Sequence, residues 1–227
     1  GLPTAYLDLP WRSFSEYIDF LGGRSGNLRR KVRQEIRRNA KEGVVIERLE
    51  SADGQCGRLY ELMAANYAQY NTHAFHFEST VIHRLWENLG SDAVLYVARK
   101  HGQIVATSLF LKRGGLWKAM TMGVDHAAAG NDLTYFNIAY YRPIQDALAE
   151  GARRIYYGNG MYELKTRRGC RLMNGHIFFR PHGAFTRLAA RPYFWVHRRW
   201  HGRKLPPEIR DQMASPTPLP PPRPLEA

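Results

Sequence analysis

The chain is short of three things. It has two cysteines, Cys56 and Cys170, among 227 residues. Two thiols give neither a disulfide framework nor a zinc ligand set, which fits a reducing compartment. It has no apolar run near the length of a bilayer span, and no charged-then-apolar leader opens it, so a protein of the cytoplasm without a membrane span is expected. It is also short of acid, with 20 Asp and Glu against 33 Lys and Arg and a formal net charge of +13. Cations left unbalanced on this scale imply an anionic partner.

The positive charge is clustered. Residues 24–41 carry Arg29, Arg30, Lys31, Arg33, Arg37, Arg38 and Lys41 against the single acid Glu35. Helical spacing puts Arg30, Arg33 and Arg37 along one face and turns Leu28, Val32 and Ile36 inward, and Gly43 ends the helix. A second cluster over 197–204 interleaves Arg198 and Arg199 with Trp200 and His201. Basic residues alternating with aromatics suit an RNA backbone with occasional base stacking. The apolar side of the first helix lacks the bulky anchors of an interfacial helix, which favours nucleic acid over a membrane surface.

A hydrophobic content of 44% over this length supports one substantial core. The expected organisation is a lead-in over 1–12, one domain over 13–205 and a proline-rich extended tail over 206–227. Within the domain, periodicity predicts helices over 13–21, 25–42, 56–70, 79–89, 133–149 and 184–200. It predicts strands over 44–49, 93–99, 104–112, 116–122, 153–157 and 176–180. Lys100-His-Gly-Gln103 reads as a hairpin turn. The fold class is therefore α/β, a mixed and largely antiparallel central sheet flanked by helices.

The segment 135–170 carries the most information. An aromatic-rich helix is followed by Gly151, then by the strand Ile155-Tyr-Tyr157, the loop Gly158-Asn-Gly160 and a basic loop with Lys165 and Arg168. Glycines there let backbone approach a ligand closely. In order and spacing this resembles the Fem-type, BioF2-like branch of the GNAT N-acyltransferase superfamily. Leu133-Thr-Tyr-Phe-Asn-Ile-Ala-Tyr-Tyr141 stands where that branch has its Tyr/Phe-rich helix. Lys165-Thr-Arg-Arg-Gly169 stands where it has a lysine four residues before a glycine. Tyr6-Leu-Asp-Leu-Pro10, Ser13-Phe-Ser-Glu-Tyr17 and the arginine-rich helix follow its amino-terminal order, and the resemblance covers roughly residues 5–200. Relatives of this type often carry a preceding GNAT-like half, so an additional amino-terminal half belonging to a longer enzyme is a further expectation.

The resemblance implies attack of an amine on an activated acyl carbon. That chemistry needs a proton acceptor, an oxyanion stabiliser and a hold on the leaving group. Lys165 is the candidate positive charge near the donor or the oxyanion, with Tyr141 and Asn137 as further catalytic candidates. Tyr135, Asn159, Arg167 and Arg168 are placed on the donor. His73 and His76, which as a pair lack a third metal ligand, are placed on the acceptor side as candidate bases, and no metal is expected. Arg29, Arg30, Arg33, Arg37, Arg38, Lys41, Arg198 and Arg199 are assigned to tRNA.

No bound cofactor is expected, and the acyl donor acts as co-substrate. CoA-dependent relatives place an Arg/Gln-x-x-Gly-x-Gly/Ala loop before the helix, where backbone N–H groups cradle pyrophosphate. Residues 124–132 here hold one glycine and the acids Asp125 and Asp132, and the default role of Asp132 or Asn131 is to cap the following helix. The expected donor is thus aminoacyl-tRNA, and the acceptor a small-molecule or peptide amine. An acetyl- or acyl-CoA donor, and a non-catalytic RNA-binding domain, are the alternatives.

Overall fold

The computed structural model describes residues 2–51, 54–70, 78–175, 183, 188 and 192–196. The chain divides into two compact units. The larger is built from Asp8–Ile155 with Pro220–Ala227, and the smaller combines Gly1–Leu7 with Tyr156–Leu219.

The larger unit opens with α1 (Phe14–Arg24) and α2 (Gly26–Lys41). The start of α1 is written in the sequence as Ser-x-x-Glu. The Ser13 hydroxyl accepts from the Glu16 N–H at 3.2 Å, and the Glu16 carboxylate accepts from the Arg12 N–H at 3.0 Å. The strands β2 (Val44–Leu49), β3 (Ala93–Lys100), β4 (Gln103–Arg113) and β5 (Leu116–Val124) then form an antiparallel meander in chain order. The expected hairpin turn lies at His101–Gly102, where both residues have positive φ, as a tight two-residue loop requires.

Two helices, α3 (Cys56–Tyr70) and α4 (Val81–Leu89), cover one face of the meander. Leu59, Leu62, Met63 and Ile82 pack there on Leu95, Val97, Ile104 and Leu109. The alternate side chains of β3 point the other way. Tyr96, fully buried, donates its hydroxyl to Asp146 at 2.8 Å. Burial, then the Asp146 carboxylate, raise the Tyr96 hydroxyl far above the phenol range, so it remains a donor at all working pH.

After β5 come the one-turn α5 (His126–Ala129), the short α6 (Thr134–Phe136), a π-helical turn Asn137–Tyr141 and α7 (Arg142–Ala149). The sequence predicts one uninterrupted helix over 133–149. The π turn breaks it by widening the hydrogen-bond step, which periodicity alone does not reveal.

The chain passes between the units in β6 (Arg154–Gly158). In the smaller unit, β1 (Thr4–Asp8) pairs antiparallel with β7 (Arg171–Met173), and α8 (Tyr162–Arg167) precedes β7. One strand is added to those expected, and one expectation is corrected. Thr4–Asp8 is a strand within the stretch read as lead-in, and Ala5, Tyr6 and Leu7 are buried. The basic segment read as a loop is the helix α8, because Lys165 turns inward and closes it. The expected strand over 176–180 and the tail over 206–227 lie outside the described residues, as do His73, His76, Arg198 and Arg199. Of the expected helix 184–200, residues 188 and 192–196 are described and are helical.

Candidate active site

In the smaller unit the backbone turns sharply after β6. Gly158, Gly160 and Met161 all have positive φ, and Met161 is the residue before α8. A single side chain holds this bend. The Lys165 ammonium donates to the carbonyls of Tyr157 at 2.8 Å, Gly158 at 3.2 Å and Asn159 at 2.8 Å, so three protons meet three acceptors. Lys165 is 6% exposed, and burial lowers its pKa to about 8 against a smaller opposing contribution from Cys170. Its charge is directed into the loop, so the geometry makes it a positioning group for residues 157–159.

The loop is fastened from the other side as well. The Thr4 hydroxyl donates to the Asn159 side-chain carbonyl at 3.1 Å, and the Tyr162 hydroxyl donates to the Pro3 carbonyl at 2.8 Å. Asn159, Gly160 and Met161 face solvent. Arg167 is exposed and paired with Glu163 at 2.6 Å, whereas Arg168 is buried, with its guanidinium near the Leu164 carbonyl at 3.4 Å.

The other sequence candidates lie in the larger unit. Tyr141 and Asn137 are the two ends of the π turn, and both are buried. The Tyr141 hydroxyl donates to the Glu35 carboxylate. Asn137 donates its amide to the Glu35 backbone carbonyl at 3.3 Å and to the Leu133 carbonyl at 3.0 Å. The Ser108 hydroxyl donates to the Ile138 carbonyl at 2.9 Å inside the same turn.

The inner face of α2 therefore differs from the apolar one expected. Val32, Glu35 and Asn39 are its buried residues, with Leu28 and Ile36 only partly covered. Spacing of three and four residues puts Glu35 and Asn39 on the Val32 side, a signal present in the sequence but outweighed by their polarity. Asn39 donates to the Asp132 carbonyl at 3.1 Å and to the Thr134 hydroxyl at 2.9 Å.

Asp132 stands one residue before Leu133, the N-cap of α6, and holds the start of that helix from there. Its carboxylate accepts from the Thr134 N–H at 3.0 Å and hydroxyl at 2.6 Å, and pairs with Lys100 at 3.2 Å. Asp125 is equally committed. It accepts from the Ala128 N–H at 3.1 Å and from Arg58 at 2.9 Å, and these two contacts, the backbone one first, hold its pKa below the usual carboxylate range. Because Asp132 is 2% exposed, Asp132→Ala removes the carboxylate that Lys100 and Thr134 share, leaving Lys100 only the Ala129 carbonyl, and should cost about 2–3 kcal/mol in a urea titration, Asp132→Asn costing less.

Val124, His126 and residues 129–136 line a half-open cavity of about 150 Å³ beside this loop, with Tyr135 in its wall. A wider hollow of about 590 Å³ lies along the outside of α2, lined by Arg30, Gln34, Arg37, Arg38, Lys41 and Glu42. The cations of α2 are not equivalent. Arg29 pairs with Asp19 at 3.3 Å and Arg30 donates to Asn27 at 3.2 Å, while no ion pair holds Arg33, Arg37, Arg38 or Lys41 among the described residues. No cluster of three potential metal ligands, and no helix long and apolar enough to cross a membrane, occurs among the described residues.

Against known families, residues 26–166, more than half of the chain, match the one described as Acetyltransferase (GNAT) domain. The chain belongs to that family. Its helix α2, its meander and its lysine-tied loop are thus parts of a GNAT acyltransferase domain. Among solved structures, FemX superposes with a TM-score of 0.58 at 12% identity, over 75% of this chain and 59% of that one. The C-terminal DUF2156 domain of a putative lysylphosphatidylglycerol synthetase from Agrobacterium fabrum gives 0.51 at 15% identity, over 75% and 57%. A conserved protein of unknown function from Bacteroides thetaiotaomicron gives 0.50 at 13%, over 74% and 55%. At these identities the likeness is one of fold alone. This chain spans less than three fifths of each of these structures. No curated protein matches it in sequence.

Proposed function

We propose that this GNAT domain forms an amide by transferring the acyl group of an aminoacyl-tRNA to an amine of a small molecule or peptide. The carrying observation is the state of the loop between β5 and α6. A CoA pyrophosphate there needs free backbone N–H groups and no nearby anion. In this chain the loop holds two carboxylates, each bound to a cation and to an N–H of the loop itself. An aminoacyl ester of tRNA needs no pyrophosphate site, only a basic surface for its polyanionic body, and α2 offers one. One structural neighbour belongs to a protein named for joining a lysyl group to phosphatidylglycerol, the putative lysylphosphatidylglycerol synthetase.

In the reaction the amine nitrogen bonds to the ester carbonyl carbon, the bond to the ribose oxygen breaks, and the proton lost by the nitrogen ends on that oxygen. His73 and His76 are the bases proposed for the amine. Asn159 and Arg167, exposed around the loop that Lys165 holds, are proposed to contact the donor, with Arg168 fixing α8 behind them. Tyr135 is proposed to shape the cavity wall, and Tyr141 and Asn137 to hold the π turn in place. Arg198 and Arg199 are proposed to extend the tRNA surface. One observation favours an acyl-CoA donor instead, namely the cavity beside the β5–α6 loop.

Filter binding tests the tRNA surface. Reversing Arg37, Arg38 and Lys41 to Glu together should weaken tRNA binding by about 30-fold or more at 50 mM salt and flatten the salt dependence by roughly three units of slope. The outer position of these residues predicts little change in thermal stability. Undiminished binding would remove α2 from the interface, and strong salt-dependent binding with no turnover of any donor would favour a non-catalytic RNA-binding domain.

A further inference from the structure

We propose that Glu35 is a positioning residue that links occupancy of the outer face of α2 to the order of the segment 132–141. The two sides of α2 have opposite chemistry. Arg33, Arg37, Arg38 and Lys41 face out, and the only acid of the helix, Glu35, is 3% exposed on the inner side. Burying a carboxylate costs desolvation that an apolar residue of similar volume would not incur. What Glu35 does is make contacts. Its side chain and its backbone carbonyl take Tyr141 and Asn137, the last and first residues of the π turn, and Asn39 one turn on takes Asp132 and Thr134 just before it.

A π turn depends on partners outside its own helix, because the extra residue weakens the local backbone ladder. Here those partners are Ser108 of β4 and the inner face of α2. Residues 132–136 also line the 150 Å³ cavity. A polyanion that fixes α2 from outside therefore restrains, through Glu35 and Asn39, the segment that forms the cavity wall. By linkage, a ligand that orders this segment favours polyanion binding to the same degree. The proposal rests on the tRNA reading above only for the identity of the natural polyanion.

The test is hydrogen exchange on the full chain, free and saturated with unfractionated tRNA or, separately, with inorganic polyphosphate. Each polyanion is expected to slow exchange in peptides covering 132–141 by roughly threefold or more. The double variant Glu35→Leu/Tyr141→Phe replaces both partners of the buried contact by apolar groups of similar shape, so folding is retained. It is expected to bind both polyanions within about threefold of the unaltered chain, while most of the protection at 132–141 is lost. If the double variant does not fold, Tyr141→Phe alone makes the same comparison. A structural role alone would change the exchange of the free protein and leave the bound-to-free ratio intact.

Equal protection in the variant, or polyanion binding without protection in the unaltered chain, overturns the proposal and leaves the tRNA reading standing. Binding of polyphosphate but not tRNA overturns the tRNA reading, and the exchange ratio with polyphosphate then decides the coupling. Failure of both to bind overturns the two together.

Discussion

Gly123→Ala is expected to lower folding stability by at least about 4 kcal/mol, a large share of the roughly 5–15 kcal/mol available to a domain. Gly123 lies in β5 where the backbone of α3 crosses it. A Cβ there would come within 2.2 Å of the Leu62 carbonyl carbon and oxygen and 2.7 Å of the Met63 nitrogen. These are backbone atoms of a helix, so no rotamer change relieves the overlap. Either α3 lifts, losing the packing of Leu59, Leu62 and Met63 on the meander, or β5 bends away from β4. The φ of Gly123 is not in the left-handed region, so the cost is one of space alone. Gly57→Ala in α3 is the control. Nothing lies within 4 Å of its added carbon, and alanine favours the helix, so a change between zero and about 1 kcal/mol of added stability is expected. Urea titration of both variants decides the matter, and equal midpoints would refute the close approach.

Lys165→Met is expected to reduce acyl transfer by about 100-fold or more, with the larger unit still folded. Methionine matches the volume of the buried stem but leaves the carbonyls of Tyr157, Gly158 and Asn159 without the donor that gathers them. A loop with three residues at positive φ then loses the side chain that draws its carbonyls together, and keeps only its outer ties to Thr4 and Pro3. Lys165→Arg should not restore it, because a planar fork cannot aim at three converging oxygens as an ammonium does.

The pH dependence separates this role from a generic surface charge. The folded pKa of about 8 lies below the unfolded value of 10.5. Between these values the unfolded chain binds more protons, so the contribution of this group to stability rises with pH across that window. Loop geometry moves in the opposite sense. Above about pH 8 the neutral amine donates only two hydrogen bonds and one carbonyl loses its partner, so activity should fall with an apparent pKa near 8. The residual activity of Lys165→Met should lack this limb. A limb of the same position in both proteins would assign it elsewhere.

Much of the fold is legible in the sequence because its elements are amphipathic in the ordinary way. β2 and α3 have the bounds that periodicity gives them, and the His101–Gly102 turn is readable from two residues. Three of the departures share one cause. Glu35, Asn39 and Lys165 are polar and buried, and the sequence records polarity without recording the partner that permits burial. Glu35 reads as the lone counter-charge of a basic helix until Tyr141, 106 residues away, is found against it. Lys165 reads as a charge offered to a ligand until three carbonyls close around it. The π turn is hidden for a different reason, since all five of its residues are buried and no exposed face is left to mark the turn of about 100° that one inserted residue makes.

A donor-consumption assay tests the central claim most directly. The purified protein is given a pool of radiolabelled aminoacyl-tRNAs and, in parallel, acetyl-CoA, each with the same panel of small amines. The account predicts amine-dependent release of label from tRNA above the spontaneous rate, and no free thiol from acetyl-CoA. Free thiol from acetyl-CoA alone would contradict it, and would assign the cavity beside the β5–α6 loop to an acyl-CoA donor.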